Sequence, residues 1–595
     1  MPPARRRVPD GDPGPGEGPP GPAPRPPAGS EQILGLLTAD DTRTLRLATS
    51  TDLLDPDDVT LADLLAPARR LLVITGGPHR TRLLSYLDAL CDSGRLDGYH
   101  VAPDELLPEG KTLTVAARLA DAAQRAGLAR RDAFLVHGPH PGAAPALVAA
   151  ALFRRHTTAV RVVTDPAWLA TALSTGPVTL GGAVGVLPRQ VTVAIDLQGF
   201  GAASPSPGTP LSPPRPGAGL VKHYTERTLT YPVEAVTDIW GLTAGPRPDD
   251  RLRAWLPTGS RVLAVVDAFS PRVMADVRRS LRSRHDRREI AGFDVHAMTV
   301  SPAVKSLTGL DDLLRVLDRA RLGPRDRVLA VGGGTLLDLA GAAALTYRGR
   351  TPYIRIPTTL VGFIDAGIGL KVGVDTYQGK NQLGGYHPPL ACLVDHAFLD
   401  TLPDVEIRCG LAEAIKIAAV ADAELFDLIE RSHGDLEARK DTPDTRRVIE
   451  RSVAVMLREL SVNPFEHDLR RVPDFGHEFG HLLESHSPRG LRHGEAVSVG
   501  MAVSGQLAVH TGRLDPREHR RMITLLRRVG LPVHDPLCTP ARLAGWLPDI
   551  RAHKGGSPHL VVPTSMGTSD FIDDPDEFTP GLFAAACRGL AEDAR

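Results

Sequence analysis

The stretch Val331-Gly332-Gly333-Gly334-Thr-Leu-Leu-Asp338 decides how this chain is read. It follows Val328-Leu-Ala-Val331, a short apolar run rich in β-branched residues, and opens a helical stretch. Glycines at such a junction let backbone amides approach a pyrophosphate at the positive end of a helix. The spaced G-x-G-x-x-G signature is absent, and a tight turn would use the same residues, so the surroundings must carry the reading. Asp338, one turn into the helix, reads either as a cap or as a cofactor contact. Tyr353-Ile-Arg-Ile356 is a second buried strand, and Thr358 and Thr359 after it place hydroxyls at the same sheet edge. Asp267 ends a third strand, Val262 to Val266, and is the candidate ribose-binding acid. Strands of this kind alternating with helices predict an α/β, doubly wound, Rossmann-like sheet with ligands at the carboxyl ends of its strands.

The signal changes from about Phe398. Leu425 to Ile429, Val448 to Leu460, Ala496 to His510 and His519 to Val529 all carry helical periodicity. The expected organisation is a nucleotide domain over residues 220–397 and a mostly helical domain over 398–595, with the active site in the cleft between them. Glu413 and Lys416 stand at i, i+3 among Leu411, Ala412, Ala414 and Ile415, so their helix is largely buried. A buried acid and base need a partner or a task. His477 and His481 share a helix face at i, i+4, and His493 follows a turn at Ser487-Pro-Arg-Gly490. A histidine pair on a helix is often structural. A catalytic zinc, however, takes three protein ligands and leaves one position for substrate. Glu413, His477 and His493 fill that description, with His481 beside them to hydrogen-bond or transfer a proton. Lys371, Lys380, Lys416, Arg470 and Lys554 are surface charges if taken singly. If they converge, they bind a phosphate monoester. Asn381 is placed to hydrogen-bond a hydroxyl.

Residues 1–30 are Pro, Gly, Ala and Arg-rich and are expected to be a disordered tail. Ala202 to Gly219 is similar and marks a linker over residues 201–219. Between them, residues 31–200 compare with residues 220–397. Arg131-Asp-Ala-Phe-Leu-Val-His-Gly138 matches Arg325-Asp-Arg-Val-Leu-Ala-Val-Gly332, and Ala194-Ile-Asp196 matches Leu393-Val-Asp395. The chemistry is not kept. Asp338 corresponds to Ala144, Asp365 to Thr171 and Lys371 to Pro177, and the glycine cluster becomes Gly138-Pro-His140. Residues 31–200 read as a degenerate Rossmann-like copy that keeps a packing role.

At 595 residues the chain exceeds what one hydrophobic core serves. Its 69 Lys+Arg balance 70 Asp+Glu, which speaks against nucleic acid or an anionic membrane as partner. There is no apolar run long enough to span a bilayer. Arg5-Arg6-Arg7 has no apolar segment behind it, so it is not read as a secretory signal. Five scattered cysteines without a CxxC pair point to a reducing, cytoplasmic setting.

Taken together, Gly332 to Gly341, Pro357-Thr-Thr359, Asp365 to Lys371, Gly379-Lys-Asn381, Gly410-Leu-Ala-Glu-Ala-Ile-Lys416, Phe475-Gly-His477 and Arg492-His-Gly-Glu495 resemble the sugar phosphate cyclases, typified by 3-dehydroquinate synthase. The resemblance covers roughly residues 225–565. It implies zinc or cobalt on Glu413, His477 and His493. It implies a substrate pocket lined by Asp365, Lys371, Asn381, Lys416, Arg470, His481 and Lys554. It implies NAD on the glycine turn with Asp267, Lys305 and Lys380, reduced and reoxidised within one turnover. The implied reaction is oxidation of a ring carbinol, elimination of phosphate, reduction, ring opening and intramolecular aldol closure. Dehydroquinate synthases pair through their nucleotide domains, so the expected assembly is a homodimer or an internal pseudo-dimer through the N-terminal copy.

Within the family, Asp365-Ala-Gly-Ile-Gly-Leu-Lys371 and Gly385-Tyr-His387-Pro-Pro389 look like the 2-epi-5-epi-valiolone synthases, which cyclise sedoheptulose 7-phosphate. Asp474 points the same way. Dehydroquinate synthases usually carry Asn there, near the substrate carboxylate, which an Asp would repel. His481 and Arg470 instead resemble dehydroquinate synthase. Pro302 stands where the family usually has a Glu for the adenosine ribose, and Phe269 replaces a common polar residue after Asp267. The alternatives are a dehydroquinate or aminodehydroquinate synthase and a metal- and NAD-dependent polyol dehydrogenase.

Overall fold

The computed structural model describes residues 33–50, 68–75, 80–103, 112–129, 132–137, 158–163, 178–180, 184–186, 190–196, 220–242, 250–348, 351–376 and 379–594, with isolated positions at 54–65 and 149–153. The expected tail and linker lie outside them. So do Gly138 to His140, Ala144, Thr171 and Pro177, on which the lost chemistry of the N-terminal half was read, and the side chain of Lys380.

The N-terminal half contributes β1 (Ile33–Ser50), β2 (Arg70–Thr75), β3 (Gly98–Val101), β4 (Ala133–His137), β5 (Thr158–Val163), a small hairpin of β6 (Val178–Leu180) and β7 (Val184–Val186), and β8 (Gln190–Asp196). The next section supplies β9 (Leu220–Val236), β10 (Arg261–Asp267), β11 (Gly292–Met298), β12 (Arg327–Gly332), β13 (Tyr353–Pro357), a hairpin of β14 (Lys371–Thr376) and β15 (Gly379–Tyr386), and β16 (Cys392–Asp395). The strands expected at residues 262–266, 328–331 and 353–356 lie inside β10, β12 and β13.

The larger strands form one twelve-stranded sheet, β11-β10-β12-β13-β16-β9-β1-β8-β5-β4-β2-β3. Read outward from the β9/β1 seam, the two sides have the same order: of the six large strands in each half, the first, sixth, fifth, fourth, second and third in chain sequence. Among the described residues, the seam is the sheet's only antiparallel pairing; the other neighbours run parallel. A turn repeats as well. Asp132 accepts from the amides of Ala129 (2.6 Å) and Arg70 (2.8 Å), and Asp326 accepts from those of Gly323 (2.7 Å) and Arg261 (2.7 Å).

The buried centres of β10, β12 and β13 are nearly continuous apolar runs, as strands covered on both faces require. The amphipathic helix Leu307–Ala320 covers one face through Leu310, Leu313, Leu314 and Leu317. Ser306 caps it, its hydroxyl accepting from the amide of Gly309.

Beyond β16 the chain is mainly helical, with helices Asp404–Ala421, Ala423–Glu437, Pro443–Ser461, His477–His486, His493–His510, Pro516–Arg528, Pro540–His553 and Pro580–Asp593. One hairpin, β17 (Leu560–Ser565) and β18 (Thr568–Ile572), interrupts them and departs from the helical expectation. Among the described residues, no helix is long and apolar enough to cross a membrane.

Candidate active site

Helix Asp404–Ala421 is buried along nearly its whole length, so Glu413 and Lys416 lie in the interior at 0% and 1% exposure. Neither is there for packing. Lys416 Nζ stands 2.6 Å from Glu413 Oε2 and 3.3 Å from Asp365 Oδ2. His477 and His493 each open a helix; that of His493 packs against this one, and that of His477 packs in turn against that of His493. Gly494 allows the approach: a Cβ there would come within 2.4 Å of the Cys409 backbone. His493 Nε2 thereby reaches 3.2 Å from Glu413 Oε1, and His477 Nε2 reaches 3.9 Å from it.

One ligand atom from each of Glu413, His477 and His493 lies within 4.8 Å of the others. Both Glu413 oxygens and His477 Nδ1 are buried without a well-directed hydrogen bond. The three residues thus fit a small divalent ion with nitrogen and oxygen ligands. The electrostatics agree. Burial opposes ionisation of Glu413, but Lys416 and the two imidazoles hold its carboxyl well below the usual range. Burial, reinforced by the Lys416 charge, keeps His477 neutral, the form that ligates metal. Burial works against a proton on His493, yet the carboxylates of Glu413 and Glu484 outweigh it and raise its pKa to about 10.

Sequence reasoning missed Glu484. Its Oε2 lies 3.2 Å from His493 Nδ1 and 3.9 Å from His481 Nδ1. A carboxylate on the far nitrogen of a ligating imidazole fixes its tautomer and orientation. Glu484→Gln is therefore expected to weaken metal affinity by about 10- to 100-fold. Titrating the apoprotein with zinc by calorimetry checks this; unchanged affinity would remove Glu484 from the site.

A second cluster adjoins the first through the opening turn of helix His477–His486. Lys554 pairs with Asp474 (2.5 Å) and approaches Glu478 (3.6 Å). Arg471 pairs with Asp474 (2.8 Å) and Glu466 (3.1 Å), and Lys371 also pairs with Glu466. Burial pushes Glu478 up to about 7. Burial also opposes ionisation of Asp474, but Arg471, Lys554 and Lys371 hold its carboxyl well below the usual range.

Arg470, expected in the pocket, is turned away. Its guanidinium sits 4.7 Å over the Phe571 ring and 3.5 Å from Asp573, and the side chain is 46% exposed. Adjacent residues in an extended segment point opposite ways, so one neighbour enters the cluster and the other leaves it. Arg471 is the one inside.

The glycine turn lies where expected. Gly333 caps helix Gly334–Thr346, so Asp338, within the helix, does not cap it. Asp338 instead pairs with Lys305 Nζ at 2.6 Å, and Lys305 also donates to Asn381 Oδ1 at 2.5 Å. Asn381 therefore stands with Lys305 and Asp338. Asp267 accepts from the amide of Phe269, and burial raises its pKa. Thr358 donates its amide to Gly332, while the Thr359 hydroxyl accepts from Gly362. Gly334 sits against Ala366, where a Cβ would come to 2.9 Å. Ala366 follows Asp365, which contacts Lys416. The glycine turn and the Glu/His/His cluster are joined by three residues, Ala366, Asp365 and Lys416.

The family descriptions for the N-terminal and C-terminal parts of 3-dehydroquinate synthase match residues 296–409 and 410–549. A 2-epi-5-epi-valiolone synthase from Streptomyces glaucescens is 39% identical over 350 residues, spanning 58% of this chain and 89% of that protein. A 3-dehydroquinate synthase from Mycobacterium leprae is 35% identical over 304 residues, spanning 50% and 82%. The solved structure of a 2-epi-5-epi-valiolone synthase from Streptomyces hygroscopicus, with NAD+ and Zn2+ bound, superposes with a TM-score of 0.56 at 37% identity, covering 61% of this chain and 97% of that one.

Proposed function

The chain belongs to the sugar phosphate cyclases typified by 3-dehydroquinate synthase, and from that premise we propose that it converts sedoheptulose 7-phosphate to a C7 cyclitol of the 2-epi-5-epi-valiolone type with release of phosphate. The observation that carries the substrate choice is Asp474 held between Arg471 and Lys554. Asp474 takes ion pairs from two of the pocket's cations, Arg471 and Lys554, and Glu466 takes Lys371 and shares Arg471, so three cations face two carboxylates. A substrate carboxylate would meet Asp474 rather than a bare cation, so a neutral heptulose fits better. The likeness to valiolone synthases supports the same reading.

NAD would supply a transient hydride acceptor, and a zinc or cobalt ion on Glu413, His477 and His493 would supply a Lewis acid for the reacting oxygens. The glycine turn, with Asp267, Asp338, Lys305, Lys380, Thr358 and Thr359, is assigned to holding the dinucleotide. Lys416 keeps positive charge beside Asp365 where enolate-like charge develops. Burial lowers the pKa of His481, leaving its imidazole neutral and able to accept a proton. Lys371, Lys554 and Arg471 carry one positive charge more than Asp474 and Glu466 offset, and that surplus is left to orient the phosphorylated chain. The five unpaired cysteines suit a reducing cytoplasm.

Incubation with sedoheptulose 7-phosphate, NAD and zinc should liberate phosphate and a cyclitol with no net gain of NADH absorbance. Net NADH would identify a polyol dehydrogenase. Turnover of 3-deoxy-arabino-heptulosonate 7-phosphate instead would identify a dehydroquinate synthase. Asp474→Asn should shift the ratio of kcat/KM values toward the acidic substrate by about tenfold or more, since a like-charge contact costs several kcal/mol. An unchanged ratio would remove Asp474 from specificity.

We also infer that residues 31–200 are a second, inactive copy of the nucleotide domain and occupy its pairing edge within the chain. The matched strand orders and the repeated Asp132 and Asp326 turns support this.

A further inference from the structure

Asp365 and Lys371 stand at the two ends of one loop, Asp365-Ala-Gly-Ile-Gly-Leu-Lys371, whose glycines do little to hold it in one shape. Its backbone is nevertheless held at five successive carbonyls. Arg355, from β13, donates to the carbonyls of Gly367 (3.1 Å), Gly369 (2.5 Å) and Lys371 (3.2 Å). The Tyr231 hydroxyl, from β9, donates to the Ile368 carbonyl. The His387 amide donates to that of Leu370 at 2.9 Å.

Arg355 is 0% exposed, and among the described residues no carboxylate pairs with it. Its guanidinium lies 5.6 Å from the Tyr353 ring centre. A buried cation without a counter-ion is costly unless its donors are satisfied. Here Nη1 and Nη2 donate to carbonyls of this loop while Nε is buried without a hydrogen-bond partner, so the charge depends on the loop holding this conformation. Any other shape strands it. The planar fork is what makes three carbonyls reachable at once; a lysine ammonium could not span them.

We propose that Arg355 is a positioning residue, which, with Tyr231, clamps the Asp365–Lys371 loop and so sets both side chains against Lys416 and the Glu413/His477/His493 cluster. It is fully buried, so it acts on the site through the loop. The inference rests on the function proposed above for what the loop does, but not for whether the clamp exists.

Two readouts keep these apart. The first is hydrogen exchange of the intact, zinc- and NAD-loaded protein, followed on the peptide spanning residues 362–372. Arg355→Lys should speed exchange there about tenfold or more while helix Asp404–Ala421 keeps its protection. Tyr231→Phe, which removes one hydroxyl and spares the fold, should speed it about threefold or more. Loop exchange unchanged in both variants overturns the clamp whatever reaction the enzyme performs. The second readout is phosphate release from sedoheptulose 7-phosphate. Arg355→Lys should lower kcat/KM by about 10- to 100-fold at unchanged zinc content, with lysine failing to rescue. A loosened loop with full activity overturns the positioning role. A wild type inactive on sedoheptulose 7-phosphate refutes the proposed function and leaves the exchange result to decide the clamp.

Discussion

Replacing Glu413 with glutamine is expected to lower the rate of phosphate release by about a thousandfold and to leave the purified protein largely without metal. The size follows from what the carboxylate does. Glutamine keeps the shape and one oxygen but loses the charge, in a cluster where both partners are imidazoles and the nearest other charge is a lysine 2.6 Å away. Without the carboxylate, Lys416 would face the metal position opposed only by Asp365 at 3.3 Å. A divalent ion would then enter beside an uncompensated ammonium. Lewis-acid stabilisation of developing charge is worth several kcal/mol, and each 1.4 kcal/mol is about tenfold in rate. Metal content by elemental analysis and phosphate release by a coupled assay check this together. A Glu413→Gln protein with full metal and more than about a tenth of wild-type rate would break the assignment. Asp365 lets the variant fold, because Lys416 keeps one acid partner.

The site was legible where chemistry forces residue types into fixed local spacing. Glu413 and Lys416 at i, i+3 in an otherwise apolar helix, and two histidines beside glycine-lined turns, could be read before any coordinates. Their convergence rests on helix packing that brings residue 413 to within reach of residue 493. The nucleotide strands were legible because burial on both faces leaves apolar β-branched runs. What escaped was set by tertiary context. Arg470 and Arg471 are the same residue type in adjacent positions, and only the direction of the segment decides which enters the cluster. Glu484 carries no signal in the sequence, and it joins the site only because folding sets it beside His493. The seam strands were invisible for a different reason. β1 carries Thr38-Ala-Asp-Asp-Thr-Arg-Thr44 and β9 contains Pro232, a residue that argues against a central strand. Each is a strand only because the other lies alongside it.

Deleting residues 1–218 is accordingly expected to make the remaining chain associate or aggregate, and to unfold at lower temperature than the full protein. β9 is 17 residues long and pairs along most of its length with β1, from Glu234 opposite Ile33 to Leu220 opposite Leu47. Without β1 it becomes a long exposed edge, with unpaired amides and carbonyls that template pairing with another copy. Helix Pro443–Ser461 also packs on β1 and would lose that cover. Two truncated chains could restore the seam by pairing β9 with β9 antiparallel, which makes a two-fold dimer the first product at low concentration. Because Tyr231 pairs with Leu37 across the seam and also holds the Ile368 carbonyl, activity should fall with the deletion. Light scattering and thermal melting of the truncated and full chains test the assembly. The full-length variant Leu37→Ala tests the seam without removing a domain. Leu37 is 0% exposed, and losing its side chain should cost about 2–5 kcal/mol. A truncated chain that stays monomeric with an unchanged melting temperature would show that β9 needs no partner, and the N-terminal half would then have no part in closing the sheet.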